Sequence, residues 1–209
     1  NASAAVKRDA FNGHRPGGEW LANTLARATF DIAEDHLRDM VLDGYDLPRE
    51  FETYRMLREG PLDNPTLAEQ GFPGSTEERF RHAGRINGYT REFGAKLPKM
   101  NDDGSIFVAG SVVHLFDEPD SVSAWARDIF VADFESHVGK DVGRGQQLLS
   151  VEKLEPVGFF DDAVALKAVH SSQRGLVSST VIDFRVGRIL GVAFVGVVGD
   201  HLRLETATT

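Results

Sequence analysis

Apolar residues recur at intervals of three and four in two stretches of the chain, and this spacing predicts two amphipathic helices. The first stretch covers residues 20–42 and is closed by Leu47-Pro48, because a proline restricts the residue before it to extended conformations. The second stretch follows Asp120 and ends near Gly139. A shorter helix is predicted to begin at the capping sequence Ser75-Thr76-Glu77-Glu78.

Six later segments have the length and the flanking turn residues of β-strands. Two of them, Ser105–Phe116 and Arg188–Val198, carry apolar residues on both faces, which predicts central strands that are covered on both sides. The stretch Phe51–Arg58 fits neither period cleanly, although the segment from Gly44 to Gly60 resembles a strand entering a sheet. The six predicted strands are 85–93, 105–116, 146–154, 163–170, 176–185 and 188–198.

The order of these elements predicts an α+β fold, in which a twisted and mainly antiparallel sheet of about six strands packs against helices, with a long N-terminal helix. Residues 1–18 are small and polar and predict a flexible lead-in. Residues 19–209 are predicted to form a single α+β domain, with a helical part over 19–83 and a sheet-rich part over 84–209.

Composition excludes several classes of protein. None of the 209 residues is a cysteine, which excludes a disulfide scaffold, a cysteine-ligated zinc ribbon, an iron–sulfur cluster and a thiol nucleophile. The 23 basic and 32 acidic side chains give a net charge of −9, which disfavours nucleic-acid binding because a phosphate backbone attracts a net positive surface.

The same features favour a location outside the cytoplasm. The lack of cysteine and the polar residues 1–18 fit an exported bacterial protein whose signal peptide or lipid anchor lies upstream of Asn1. No window of the sequence contains 18 uninterrupted apolar residues, so residues 1–209 are predicted to carry no transmembrane segment. We therefore expect a secreted or membrane-anchored domain.

Motifs for nucleotides and metals are incomplete. Gly139-Lys140 ends a predicted helix instead of opening one, and no Ser or Thr follows the lysine as a phosphate-binding loop requires. Asp31, Asp35 and Asp39 stand four residues apart, but such a row of carboxylates is usually a solvated helix face. The sequence therefore predicts no metal site and no cofactor.

Two histidines lie late on predicted strands. His114 is in phase with apolar positions of its strand, and His170 is in phase with those of another. Each fits either a neutral core histidine with a satisfied hydrogen bond or a ligand-binding or catalytic group. Asp183 and Arg185 alternate with Ile182 and Phe184, and this alternation predicts that the two charged side chains face solvent.

Several phrases of the sequence resemble a family of exported bacterial domains. They are Asp46-Leu47-Pro48 followed by Phe51, the segment from Gly84 to Tyr89, a helix beginning near Asp120, and Phe184-Arg185-Val186-Gly187 before an apolar strand. Together they resemble actinobacterial lipoproteins and the extracellular sensor domains of some receptor kinases, over residues 42–209. The resemblance implies a fold similar to the PsbP-like sandwich, with a ligand cleft between sheet and helix and no catalytic motif. The predicted helix over 20–42 departs from that pattern.

Three functions follow from these observations. The first is a non-enzymatic extracytoplasmic binding or sensing domain, with a pocket lined by His114, Trp125, Phe130 and neighbouring sheet residues such as His170, which accepts an apolar or amphipathic small molecule. The second is a small-molecule hydrolase or isomerase that uses His114 or His170 with a nearby aspartate. The third is a structural adaptor that docks a partner protein through the helix over 20–42.

Overall fold

The computed structural model describes residues 24, 27–95, 102–143, 145–159, 162–173 and 175–209. The predicted lead-in over residues 1–18 lies outside these ranges.

One antiparallel sheet dominates the architecture. Within the described residues it has eight strands in the order β1-β2-β3-β8-β7-β6-β5-β4. The two segments predicted to be central, now β3 and β8, pair with each other in the middle of this order. The strands are β1 Tyr54–Pro61, β2 Arg85–Ala95, β3 Ile106–Phe116, β4 Asp141–Gly143, β5 Gln146–Leu154, β6 Ala163–Ser172, β7 Gly175–Val186 and β8 Ile189–Val198.

The predicted α+β fold with about six strands is therefore wrong, because the sheet is larger and the helices are few and short. The six predicted segments are all strands, but β1 and β4 add one at each edge. In β1, Met56 and Leu57 are both more than half exposed, so this edge strand lacks the alternation that identifies a half-buried strand. β4 is three residues long and carries too little sequence to show a period.

The predicted long N-terminal helix is also wrong in the described part of the chain. Residues 27–30 are helical, but Ala33 is extended, and a 3₁₀ helix follows over Glu34–Met40. The cause is Arg188, whose guanidinium donates to the carbonyl oxygens of Thr29, Phe30 and Ile32 over 2.7–2.9 Å. The carbonyl oxygen of Thr29 also accepts the N–H of Ile32 over 3.2 Å, but the N–H of Ala33, its α-helical donor, bonds to Nδ1 of His36 instead. The side chain of Arg188 thus takes the place of α-helical hydrogen bonds to these carbonyls.

The remaining helices are short, and most lie on one face of the sheet. The amphipathic stretch after Asp120 is confirmed as a helical run that passes from α-helix through a π-helical segment, Ala126–Val131, and back to α-helix. The α-helices are α1 Asn64–Gln70, α2 Glu77–His82, α3 Pro119–Trp125, α4 Ala132–Ser136 and α5 Leu204–Thr208, and a second 3₁₀ turn covers Arg49–Phe51.

The two faces of the sheet carry different coverings. The first face packs against the 3₁₀ helix, the loop to Phe51 and α5, through two clusters that include Leu37, Val113 and Val197. The second face packs against α2 and α3, through a cluster of Phe80, Phe116, Val122, Trp125 and Leu190. The sheet is thus a central layer covered on both faces, and a cavity lies on each of them.

Candidate functional site

Small residues on β8 create a hollow in the first face. Gly191 and Ala193 occupy successive positions on that face of β8. Ala193 lies between Ser111 of β3 and Ile182 of β7, and Gly191 lies beside Phe184 of β7. Because alternate residues of a strand point to the same side, two small side chains in succession remove volume from one patch of the floor. The hollow is therefore a direct product of the sequence of β8.

The walls of the hollow come from distant parts of the chain. Met40 closes one side at the end of the 3₁₀ helix, and Leu47 and Phe51 of the following loop stand over the floor. Ala207 of α5 contributes from the C-terminal end of the chain. The cavity is partly open to solvent and has a volume of about 260 Å³, and we call it the first-face cavity.

A pair of aromatic rings forms another wall. Phe184 stacks on Phe159 with ring centroids 5.3 Å apart and an interplanar angle of 28°. The Phe184 ring lies so close to Gly191 that a Cβ atom at position 191 would overlap its Cζ atom. Glycine at this position therefore sets where the ring lies and how wide the cavity is.

Most polar groups at this cavity already have partners within the protein. The Ser111 hydroxyl accepts a hydrogen bond from the backbone N–H of Leu42 over 2.9 Å, and so ties the wall to the floor. One carboxylate oxygen of Asp46 accepts from the N–H of Asp43 over 2.8 Å. The lining thus offers mainly apolar contact, with the threonines of the C-terminal segment and Asp46 at its polar positions.

The structure places two of the sequence-predicted site residues on the second face. His114 and Trp125 lie with ring centroids 6.0 Å apart, and each is 6% exposed. Trp125 also contacts Phe80 and Phe116 at centroid distances of 5.1 and 5.4 Å, so it belongs to the hydrophobic core of this face. Neither residue lines the cavity on the first face or the cavity on the second face.

The environment of His114 matches a core histidine with a satisfied hydrogen bond. Its Nδ1 atom accepts from Nε of the buried Arg85 over 3.0 Å, which puts the ring proton on Nε2. Burial, and secondarily the positive charge of Arg85, lowers the pKa of His114 well below 6.5. Burial also lowers the pKa of Arg85 to about 9.

The other two predicted residues are not brought to a common site. Phe130 lies in the π-helical segment, where its ring makes an edge contact with Phe134 at 5.2 Å. His170 is on β6, and two strands, β8 and β7, lie between it and the strand of His114, a distance of roughly 14 Å or more across the sheet. Burial lowers the pKa of His170, and its buried Nδ1 atom has no hydrogen-bond partner in the described part of the chain. The assignment of these four residues to a ligand stays a prediction.

Sequence reasoning missed the residues of the first-face cavity. One feature could have indicated it: an apolar strand with Gly191 and Ala193 at alternate positions leaves a gap between larger neighbours. The walls had no such feature, because the loop around Leu47 and the C-terminal segment meet only in the folded chain.

The described part of the chain shows neither a metal-binding cluster nor a membrane-spanning helix. It contains no group of three or more His, Asp or Glu side chains arranged to hold a metal ion. Among the same residues, no helix is long and apolar enough to cross a membrane.

Comparison with known proteins gives one informative match. No protein-family model matches the chain, and a search of curated proteins finds no match either. The fold is similar to the crystal structure of the extracellular domain of PknH from Mycobacterium tuberculosis, with a TM-score of 0.56 and 10% sequence identity. The match covers 85% of this chain and 91% of that domain. At this identity the likeness establishes a shared fold, and the predicted resemblance to extracellular sensor domains agrees with it at that level.

Proposed function

We propose that this protein is an extracytoplasmic binding or sensing domain, and that its first-face cavity holds the apolar part of a small amphipathic molecule. The observation that carries the proposal is the cavity itself, a hollow of about 260 Å³ with mainly apolar walls from four separate parts of the chain. A ligand there would contact the 3₁₀ helix, the sheet and α5 together, so binding would stabilise their arrangement.

The shared fold with an extracellular domain supports the proposed location. The absence of cysteine and the polar start of the sequence agree with it. The test is to tag the full-length protein in its native host and treat intact cells with protease. Loss of the tag from intact cells is the expected result, whereas protection until the cells are lysed would contradict an extracytoplasmic location.

The ligand proposal is tested with decanoate, which combines an apolar chain with one charged group. We expect decanoate to raise the melting temperature of the protein and to bind measurably by calorimetry. The variant Ala193→Phe places a ring in the floor of the cavity, and it is expected to weaken decanoate binding by about tenfold or more, the equivalent of 1.4 kcal/mol.

A matched control separates the cavity from general surface hydrophobicity. Leu149→Phe adds the same ring at a partly exposed position of β5, which does not line the first-face cavity, and it should leave binding unchanged. Equal affinity in the wild type and in Ala193→Phe would contradict the proposal. So would binding that Leu149→Phe and Ala193→Phe weaken to the same degree.

The adaptor hypothesis loses the element on which it depended, since the described residues form no continuous helix over 20–42. The hydrolase or isomerase hypothesis gains no support from the surroundings of His114, whose Nδ1 atom is already bound to Arg85.

A further inference from the structure

A second cavity, of about 360 Å³, lies on the opposite face of the sheet. Its roof is the helical run, where Val122 of α3 and Ala126 and Val131 at the two ends of the π-helical segment face the sheet. Its floor is formed by strands β6, β7 and β8, including Val164 and Leu190. We call it the second-face cavity, and its walls share no residue with the first-face cavity.

Asp183 lies in this floor and has no hydrogen-bond partner among the residues that the structure describes. Its side chain is 2% exposed, and its Oδ1 atom is buried without a donor. The residues beside it on the neighbouring strands are Val164 and Val192, which offer no polar side-chain group. The sequence predicted that Asp183 faces solvent, and this is wrong because the helical run covers that face of β7.

A complementary group lies two residues further along the same strand. Arg185 lines the same cavity, and its Nε–H is buried without a hydrogen-bond acceptor. It lies 3.4 Å from Oδ2 of Asp162 and lacks the alignment of a hydrogen bond. Residues i and i+2 of a strand point the same way, with a spacing of about 6.6 Å. Within the described residues, the floor thus presents a carboxyl group without a hydrogen-bond donor and, two residues along, a guanidinium whose Nε–H forms an ion pair with Asp162 but no hydrogen bond.

The other charged groups of this cavity are already paired. Asp162 accepts a hydrogen bond from the hydroxyl of Ser123 over 2.6 Å. Lys153 forms an ion pair with Glu135 at 2.8 Å, and Arg127 forms one with its neighbour Asp128 at 2.7 Å. Asp183 and Arg185 are therefore the two lining groups that lack full hydrogen bonding, and buried polar atoms of that kind normally mark a missing partner.

We propose that the second-face cavity binds a small zwitterion, whose ammonium group donates to Asp183 and whose anionic group accepts from Arg185. Apolar residues of the floor and the roof, Val164, Leu190 and Val122 among them, line the same cavity, so the spacer of the proposed ligand is a short hydrocarbon chain. An isolated carboxylate is costly to bury, and a bound ammonium group would supply the missing counter-charge and hydrogen-bond donor. The guanidinium fork of Arg185 suits a carboxylate or a phosphate at the other end.

The probe for this site is 6-aminohexanoate, which carries an ammonium and a carboxylate at opposite ends of a short methylene chain. Pentylamine and hexanoate serve as matched probes, because each keeps one charged group and lacks the other. We expect 6-aminohexanoate to bind by calorimetry, and each single-charge probe to bind about tenfold more weakly or worse. A titration followed by nuclear magnetic resonance should shift the carboxyl-carbon signal of Asp183.

Variants identify the groups that bind each end. Asp183→Asn keeps the shape of the side chain and should weaken binding of 6-aminohexanoate while leaving hexanoate unchanged. Arg185→Gln should weaken 6-aminohexanoate and hexanoate but not pentylamine. Glu155→Gln removes an exposed acidic group outside the cavity and serves as the matched control. If one of the floor variants fails to fold, Ala126→Leu narrows the cavity from the helical side and should weaken all three probes.

Two results would overturn the proposal. One is an absence of 6-aminohexanoate binding to the wild-type protein at millimolar concentration. The other is binding that Asp183→Asn, Arg185→Gln and Ala126→Leu all leave unchanged. Ala193→Phe fills the first-face cavity only and should not affect 6-aminohexanoate, so failure of one site is distinguishable from failure of the other.

Discussion

The Nε atom of Arg85 donates a hydrogen bond to Nδ1 of His114 over 3.0 Å, and the arginine is 1% exposed. The same guanidinium donates to the carbonyl oxygen of Leu62 over 2.5 Å and to Oδ1 of Asn64 over 2.6 Å. Asn64 in turn donates to the backbone carbonyl of Arg85 over 3.0 Å. A single buried cation therefore links the start of α1, the start of β2 and the end of β3, and its hydrogen bonds within the described residues go to neutral acceptors.

Replacing this cation should destabilise the protein strongly. Arg85→Leu leaves three buried acceptors without a donor, on Leu62, Asn64 and His114, and each such loss costs about 1–3 kcal/mol. We expect a decrease of about 3 kcal/mol or more in the free energy of unfolding, measured by urea denaturation. Arg81→Leu, at an exposed position of α2, is the control and should change stability by less than about 1 kcal/mol. A similar loss in both variants would contradict the role of the buried network.

Stability should fall in mild acid because of His114. The folded-state pKa of His114 lies well below 6.5, so below pH 6.5 the unfolded chain binds a proton that the folded chain does not. The free energy of unfolding therefore falls by up to about 1.4 kcal/mol for each unit by which the pH is lowered, until the pH reaches the folded-state pKa of His114. Urea denaturation between about pH 7 and pH 5 should show this slope, and His114→Asn should reduce it.

His82 provides the control for that measurement, since it lies exposed on α2. His82→Asn makes the same chemical change at an exposed position and so controls for the substitution itself. Burial also lowers the pKa of His170, so this residue too makes the free energy of unfolding fall as the pH is lowered. His114→Asn should therefore remove only part of the pH dependence. An unaltered slope in His114→Asn would show that the ring is protonated in the folded state.

The sequence predicted the strands better than the helices, and the difference has a physical cause. The bounds of β5 match the prediction at both ends, because alternation and turn residues are local properties of a strand. The N-terminal helix fails because Arg188, more than 150 residues away, binds the carbonyls that the helix needs. The helical period of this N-terminal segment therefore did not determine its structure, because hydrogen bonds from a distant side chain outweighed the local preference.

The candidate sites show the same limit. Alternation placed Asp183 and Arg185 on one face of β7, which is right, but it could not show that a helical run covers that face. His114 was predicted to be either a core histidine or a functional one, and the contact with Arg85 favours the first. That contact joins two strands through a bulge between Arg85 and Asn87, which no local pattern indicates.

The position of Phe184 should depend on the absence of a side chain at Gly191. Gly191→Ala introduces a Cβ atom that overlaps the ring, so the ring must move away from the floor of the first-face cavity. We expect a loss of about 1–3 kcal/mol in the free energy of unfolding and weaker binding of decanoate. Gly44→Ala is the matched control, because a Cβ atom there meets nothing closer than 3.9 Å. Adding Phe184→Leu to Gly191→Ala should recover part of the lost stability, and an additive loss would contradict the contact.

The unpartnered carboxyl group of Asp183 should make the protein less stable as pH rises. Burial raises the pKa of Asp183 well above 3.8, so above pH 3.8 the unfolded chain releases a proton that the folded chain retains. Stability is therefore lost as pH increases towards the folded-state pKa, and Asp183→Asn, which cannot ionise, escapes this loss. We expect the variant to be more stable than the wild type by about 1–3 kcal/mol near pH 8, with the difference shrinking towards pH 4.

Glu155→Gln removes an exposed acidic group in the same chain and should produce no such pH-dependent gain. A constant difference between Asp183→Asn and the wild type at every pH would show that Asp183 is not buried as a neutral acid. The stability measurement also bears on the second-face cavity, because the variant expected to gain stability is the one expected to lose 6-aminohexanoate. A residue that lowers stability and is needed for binding is typical of a functional site, whereas a gain in stability with binding intact would leave Asp183 without a role in ligand recognition.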